Sequence, residues 1–164
     1  PQYGLLNSIL AAIGLESKVM PWIGHSSTAM WAVCAAELWK GIGYYAIIFY
    51  AGLIDVPSEL EEAARIDGAN ALQVIRHIVI PIIRPVIIMC IVLAIMHSLR
   101  VYDMPKILTK GGPGYATTTL SIYMYKVAFK QWKYGYGSTV AIVALLLTLV
   151  FTSIVNLFDK KEAN

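Results

Sequence analysis

The sequence predicts an all-α protein, a polytopic bundle of transmembrane helices, and three observations carry that prediction. Hydrophobic residues make up 58% of the 164 positions, charged residues only 14%, and mean hydropathy is +0.65. Soluble domains carry about 25% charged residues, so a deficit of this size makes lipid part of the solvent. A charge-free run from Ser138 to Phe158 is long enough, at about 1.5 Å per residue, to cross a bilayer core of about 30 Å. Two more apolar runs of similar length lie upstream, divided by polar connections.

Each element follows from local pattern. Leu5 to Leu15 predicts a short surface helix ending near Gly14. The first span is expected over 26–54, with Ser26, Ser27 and Thr28 as candidate N-caps. It contains Glu37 and Lys40, which are three apart, share a helical face and can pair. A charge at the bilayer centre costs about 2.5–3.5 kcal/mol. Two readings stay open: a protein interior or aqueous path, or a position near the headgroups at the helix start.

The second span is expected over 82–100. Pro85 fits a first turn, where its missing N–H is harmless. Arg84 can snorkel to the headgroups, and Arg100 closes the other end. The third span is expected over 136–158, stopped by Asp159, Lys160 and Lys161, with 159–164 as a tail. The chain opens at Pro1 without a methionine or a signal-peptide pattern, and reads as the C-terminal part of a longer protein.

The connection over 55–81 has its own chemistry. Pro57 stops the preceding helix, and Ser58 with Glu61 has capping-box spacing. Glu59, Glu61 and Glu62 crowd a first turn, where the helix dipole favours anions. Leu60, Ala63 and Ala64 share a face kept low by the alanines. Gly68 stands where a C′ glycine ends a short helix. A second amphipathic stretch follows, with Leu72, Ile75 and Val79 on one stripe, and Pro81 is expected to end it. From Asp55 to Arg84 there are five acids and three arginines. A helix lying on lipid is basic on its polar face; an acidic one suits a protein partner.

The connection over 101–135 is expected to be a loop with a short helix, capped by Thr117 to Thr119 and running to about Lys130. Asp103 can pair with Arg100 or meet a ligand. Tyr115, Tyr123, Tyr125, Trp132, Tyr134 and Tyr136 read as an interfacial belt. Sugar stacking or contact with a substrate-binding protein is the functional alternative.

Several functions are excluded. A net charge of +3 without a basic block gives no nucleic-acid signal. Cys34 and Cys90 lie in apolar runs with no metal-ligand spacing, and His25, His77 and His97 form no HExxH. Gly111-Gly112-Pro113-Gly114 is a turn, not a phosphate-binding P-loop, because no Gly-Lys-Ser/Thr follows. The chain is therefore expected to hold no ATP, cofactor or metal, and not to be an enzyme.

Glu62-Ala63-Ala64, Gly68 four residues past Ala64, and Ile78-x-Ile80-Pro81 resemble the EAA loop of ABC importer permeases, in which Leu usually stands where Ile80 does. Trp39-Lys40-Gly41-Ile42-Gly43-Tyr44, Leu108-Thr109-Lys110-Gly111-Gly112-Pro113, Thr117-Thr118-Thr119 and Phe129 to Ser138 resemble the carbohydrate-uptake branch. The resemblance covers nearly the whole chain. It implies a multi-pass subunit of the bacterial inner membrane. Its partners would be a cytoplasmic ATP-binding subunit holding ATP and magnesium, a second homologous permease and a substrate-binding protein. Glu62, Ala63, Ala64, Gly68 and Pro81 would dock the ATPase, with the 55–81 loop and the 159–164 tail cytoplasmic and 101–135 external. Glu37, Lys40, Gly41, Tyr44 and Asp103 would lie near the substrate path. A channel or ion-coupled secondary transporter is the rival, but neither would need the acidic docking helix.

Charge opposes the implied orientation. Arg100, Lys106, Lys110, Lys126, Lys130 and Lys133 would lie outside, where the positive-inside rule expects few.

Overall fold

The computed structural model describes residues 4–162, with side chains described through Leu157. Long apolar helices dominate because lipid offers no hydrogen-bond partner to the backbone, which must satisfy itself within each segment. Among the described residues, three helical stretches are long and apolar enough to cross a membrane. They are α2 (Ser26–Ile54), the stretch from α6 (Arg84–Arg100) through α7 (Asp103–Leu108), and α9 (Tyr134–Glu162). Before them, α1 (Leu5–Ala12) ends at Gly14, φ +78, close to where the sequence places its end.

Two boundaries differ from expectation. The second span begins at Arg84 rather than at residue 82, because a short helix ends at Ile82 and Ile83 breaks the run. The third helix starts at Tyr134 rather than at residue 136; its apolar stretch ends at Leu157, before Asp159, Lys160 and Lys161 as expected, while the helix itself continues to Glu162. Charges end a membrane span, not a helix: once in water, Lys and Glu are good helix formers. The last two residues of the expected tail lie outside the described residues.

The chain divides into two compact units. One joins residues up to Leu38 with Arg100–Ala141; the other joins Trp39–Leu99 with residues from Ile142 onward. In the first, the segment before α2 is pinned by a buried amide. Asn7 Nδ2 donates to the Met20 carbonyl at 2.9 Å, and Trp22 Nε1 donates to Asn7 Oδ1 at 2.8 Å. Thr28 does not cap α2 through its side chain; its hydroxyl donates to the Trp22 carbonyl at 2.7 Å. Gly137 lies so close to the preceding turn that a Cβ there would sit 2.6 Å from Ala128 Cβ. In the second unit, Gly52 lets α2 approach α6, since a Cβ there would meet Val86 Cγ2 at 2.9 Å.

Candidate functional site

The connection after α2 folds as a compact helical hairpin on its own small core. Pro57 has extended backbone, φ −64 and ψ 126, and its carbonyl accepts the Leu60 N–H at 3.2 Å. Pro57 is thus the N-cap, and α3 (Ser58–Ile66) opens with Ser58 already helical. The expected Ser58–Glu61 capping box is therefore absent. Glu61 instead pairs with Arg65 one turn on, at 3.8 Å, an exposed pair contributing little.

Gly68 ends α3 as expected. Its φ is +86, Gly68 N–H donates to the Arg65 carbonyl at 3.1 Å, and Ala69 N–H donates to the Ala64 carbonyl at 2.9 Å. This is a Schellman arrangement with Gly68 at C′. The next helix, α4 (Ala71–Val74), carries the capping box that α3 lacks. Gln73 N–H donates to Asn70 Oδ1 at 3.0 Å, and Asn70 N–H donates to Gln73 Oε1 at 2.8 Å. Asn70-x-x-Gln73 has the spacing of Ser58-x-x-Glu61, so the signal was present in the sequence.

The second stretch does not end at Pro81. After α4 a wider π turn covers Ile75–Val79, then α5 (Ile80–Ile82) passes through Pro81. Ile80 N–H reaches back five residues to the Ile75 carbonyl. Near a proline, which cannot donate, the loosened turn keeps the chain helical. His77 Nδ1 lies 3.0 Å from the Gln73 carbonyl within it.

Val74, Val79 and Ile83 form the core of the hairpin, and Val56, Ala64, Ala69, Ile78 and Ile87 pack against them. Ala64 thus faces inward. The outward face of α3 carries Glu59, Glu62, Ala63 and Ile66, all exposed, with Ile66 at 85%. The sequence reading missed Ile66, for which an apolar residue among the acids of α3 was the available signal. The expected stripe of Leu72, Ile75 and Val79 does not share one buried face: Val79 is buried, whereas Leu72 and Ile75 are exposed. A shallow concavity lined by Ala64, Asp67, Gly68, Gln73 and His77 adjoins this face.

The other candidate residues lie apart from this hairpin in sequence. Glu37 and Lys40 are the twelfth and fifteenth residues of the 29 in α2, about 16 and 21 Å along a helix of about 43 Å. That is its middle, not its start. Glu37 is half-buried, Lys40 and Tyr44 are exposed, and the Tyr44 ring meets Tyr45 edge-on at 5.3 Å. Gly41, beside Lys40, is half-buried. Asp103 is exposed in the first turn of α7.

The loop after α7 is held by threonine hydroxyls. Thr109 Oγ1 donates to the Pro105 carbonyl at 2.7 Å and contacts Thr117 Oγ1, which lies 2.8 Å from the Gly112 carbonyl. Thr117 is fully buried. Thr118 Oγ1 donates to the Gly111 carbonyl at 2.9 Å. Thr119 Oγ1 donates to the Val101 carbonyl at 2.8 Å and accepts the Ile122 N–H, capping α8 (Leu120–Tyr125), which runs into a π turn over Lys126–Lys130. The helix therefore does reach Lys130, and α7 is a second short helix that was not foreseen. A hydrogen bond to Tyr136 pushes the Tyr123 phenol above its ordinary pKa.

A family model for binding-protein-dependent transport system inner membrane components matches residues 4–164. The chain belongs to this family. With three candidate spans, this inner membrane component is a multi-pass protein. It is 40% identical over 152 residues to a probable ABC transporter permease protein, YurN, of Bacillus subtilis, covering 93% of this chain and 52% of that protein. It is 37% identical over 150 residues to the trehalose/maltose transport system permease protein MalF of Thermococcus litoralis, covering 92% and 50%. The chain spans about half the length of the curated relatives it matches. Its fold matches a crystal structure of a bacterial ABC transporter that imports the acidic polysaccharide alginate, with a TM-score of 0.82 and 24% identity, covering 96% of this chain and 55% of that one. Membership of a binding-protein-dependent family leaves the channel and secondary-transporter readings without support.

Proposed function

We propose that this inner membrane component is the C-terminal part of the permease subunit of an ATP-driven importer for a sugar or sugar derivative. A substrate-binding protein delivers the sugar, and a second permease completes the membrane path. A separate ATPase subunit, holding ATP and magnesium, docks on the hairpin over 57–81. The observation that carries this reading is the outward face of α3: Glu59, Glu62, Ala63 and Ile66 stand exposed on a helix anchored at both ends. A face of two acids and two apolar residues fits a protein partner better than anionic lipid, on which a helix is basic.

In this reading Glu62 and Ala63 touch the ATPase. Ala64 and Gly68 keep α3 seated, and Pro81 lies in the helical run leading to α6. Closure of the ATPase dimer moves the seated helices, and the spans rock between inward-open and outward-open states. The carbohydrate assignment rests on relatives such as the trehalose/maltose permease. Glu37, Lys40, Gly41, Tyr44 and Asp103 are the candidates for the substrate path. Glu37 and Lys40 support this by their place mid-span, where charge usually marks a pathway or protein interior.

The test is uptake of labelled sugars by the complete importer in vesicles, with and without the ATPase subunit. Uptake is expected only with the subunit and internal ATP. Full uptake without it would overturn the assignment.

A further inference from the structure

Between Arg100 and Lys133 the chain carries six cations, Arg100, Lys106, Lys110, Lys126, Lys130 and Lys133, against one carboxylate, Asp103. Rings tie part of this charge into one surface. Tyr102 contacts Tyr125 at 5.5 Å between centroids, Tyr125 contacts Phe129 at 5.5 Å, Phe129 contacts Tyr134 at 6.2 Å, and Tyr134 contacts Trp132 at 6.1 Å. Lys106 Nζ stands 4.9 Å from the centre of Tyr125, and Lys126 Nζ stands 4.6 Å from the centre of Tyr115. These distances are within cation–π range.

The outer rings of this ladder are solvent-facing. Phe129, Trp132 and Tyr134 are exposed, Trp132 at 73%. Trp132 also has φ +58, a left-handed conformation costing a non-glycine residue about 1–2 kcal/mol. That conformation turns the chain so that Lys133 N–H reaches the Val127 carbonyl at 3.1 Å. Lys130 and Lys133 flank Trp132 in sequence. The ladder lies between the end of the second apolar stretch, Leu108, and the start of the third, Tyr134, and overlaps both. Its level is therefore the headgroup region, where Trp and Tyr rings settle.

We propose that this face binds the phosphate headgroups of anionic phospholipids, with Trp132, Phe129 and Tyr134 in the acyl boundary and Lys126, Lys130 and Lys133 on the phosphates. An uncharged aromatic belt needs no lysine excess. A face built only to touch sugar would not present its most exposed aromatic, Trp132, between two lysines at the end of a span. The inference holds on whichever side of the membrane the face lies and does not depend on an ATPase partner.

The test uses the complete importer in vesicles containing brominated phosphatidylglycerol or, at equal fraction, brominated phosphatidylcholine. The Trp132 signal is the fluorescence difference between the native protein and Trp132→Phe. Phosphatidylglycerol is expected to quench it more strongly, with anionic lipid enriched about fivefold for each lysine engaged. A Lys126→Gln, Lys130→Gln, Lys133→Gln variant should lose the preference while still being quenched. Equal quenching of the native protein by both lipids would overturn the proposal, leaving a plain aromatic belt. No quenching by either would also overturn it, because protein then covers the face. The native comparison alone decides the matter if the triple variant fails to fold.

Discussion

The Ala69 N–H donates to the Ala64 carbonyl at 2.9 Å across Gly68, and this bond joins the end of α3 to the core of its own hairpin. Both alanines pack on that core, so the turn that stops the helix also orients its outer face. Among the described residues, none beyond its chain neighbours would come within 4 Å of a Cβ at Gly68. Any penalty for substitution there arises from the backbone, not from a clash. Gly68→Ala is expected to destabilise the hairpin by about 1–2 kcal/mol. Gly68→Asn should lose less, since Asn tolerates this conformation, and Gly68→Val more. Hydrogen exchange at Ala69 reads the order, and equal exchange in all three variants would contradict it.

Asn70→Ala removes an acceptor from the Gln73 N–H. A loss of about 1 kcal/mol is expected, against only a few tenths for Asn70→Gly. Ser58→Ala should change little, because the Ser58 side chain caps nothing. Comparing thermal unfolding of the three variants checks this, and a larger loss for Ser58→Ala would contradict it.

These two positions mark what the sequence could and could not disclose. The C′ glycines at 14 and 68 and the extent of α2 were legible because a glycine at a helix end and a long apolar run each have a local cause. The cap of α3 was misread because Ser58-x-x-Glu61 and Asn70-x-x-Gln73 share one spacing. Only the backbone of Pro57, already extended, decides that α3 starts one residue early. The threonine loop was hidden for another reason. Its hydroxyls reach carbonyls up to 18 residues away, as Thr119 does to Val101, and no periodicity encodes such contacts. In the candidate site, Glu62 and Gly68 were named from the motif. The inward turn of Ala64 and the outward Ile66 depend on how α3 settles on Val74 and Val79.

Thr117→Val keeps the shape of a fully buried side chain but removes the hydroxyl serving the Gly112 carbonyl and Thr109. A destabilisation of about 1–3 kcal/mol is expected. Thr117→Ser should retain most of the stability. Unfolding midpoints of detergent-solubilised protein provide the check, and equal losses for Val and Ser would show that packing, not the hydrogen bonds, matters.

Gly137→Val forces bulk against Ala128, whose Cα lies 3.2 Å from a Cβ at Gly137, so backbone must shift. Overpacking of this kind costs about 1–3 kcal/mol. Gly135→Val, where a Cβ meets nothing within 4 Å, is the control and should be milder. A Gly135→Val loss as large as that of Gly137→Val would contradict the close approach.

Orientation can be read directly from Ser58, exposed at the start of α3. A Ser58→Cys variant in intact cells should resist an impermeant thiol reagent and react only after the membrane is opened. Labelling from outside would place the hairpin on the wrong side for an ATPase, in line with the positive-inside count.

The most direct measurement of the central claim is the ratio of sugar taken up to ATP hydrolysed by the complete importer carrying Glu62→Lys or Gly68→Val. Glu62→Lys reverses a charge on the outward face of α3, and Gly68→Val strains the turn that seats it. Both variants should still insert and the ATPase should still hydrolyse ATP, with uptake per ATP falling at least about tenfold, the effect of roughly 1.4 kcal/mol of lost coupling. Native ratios in both variants would contradict a docking role for this hairpin.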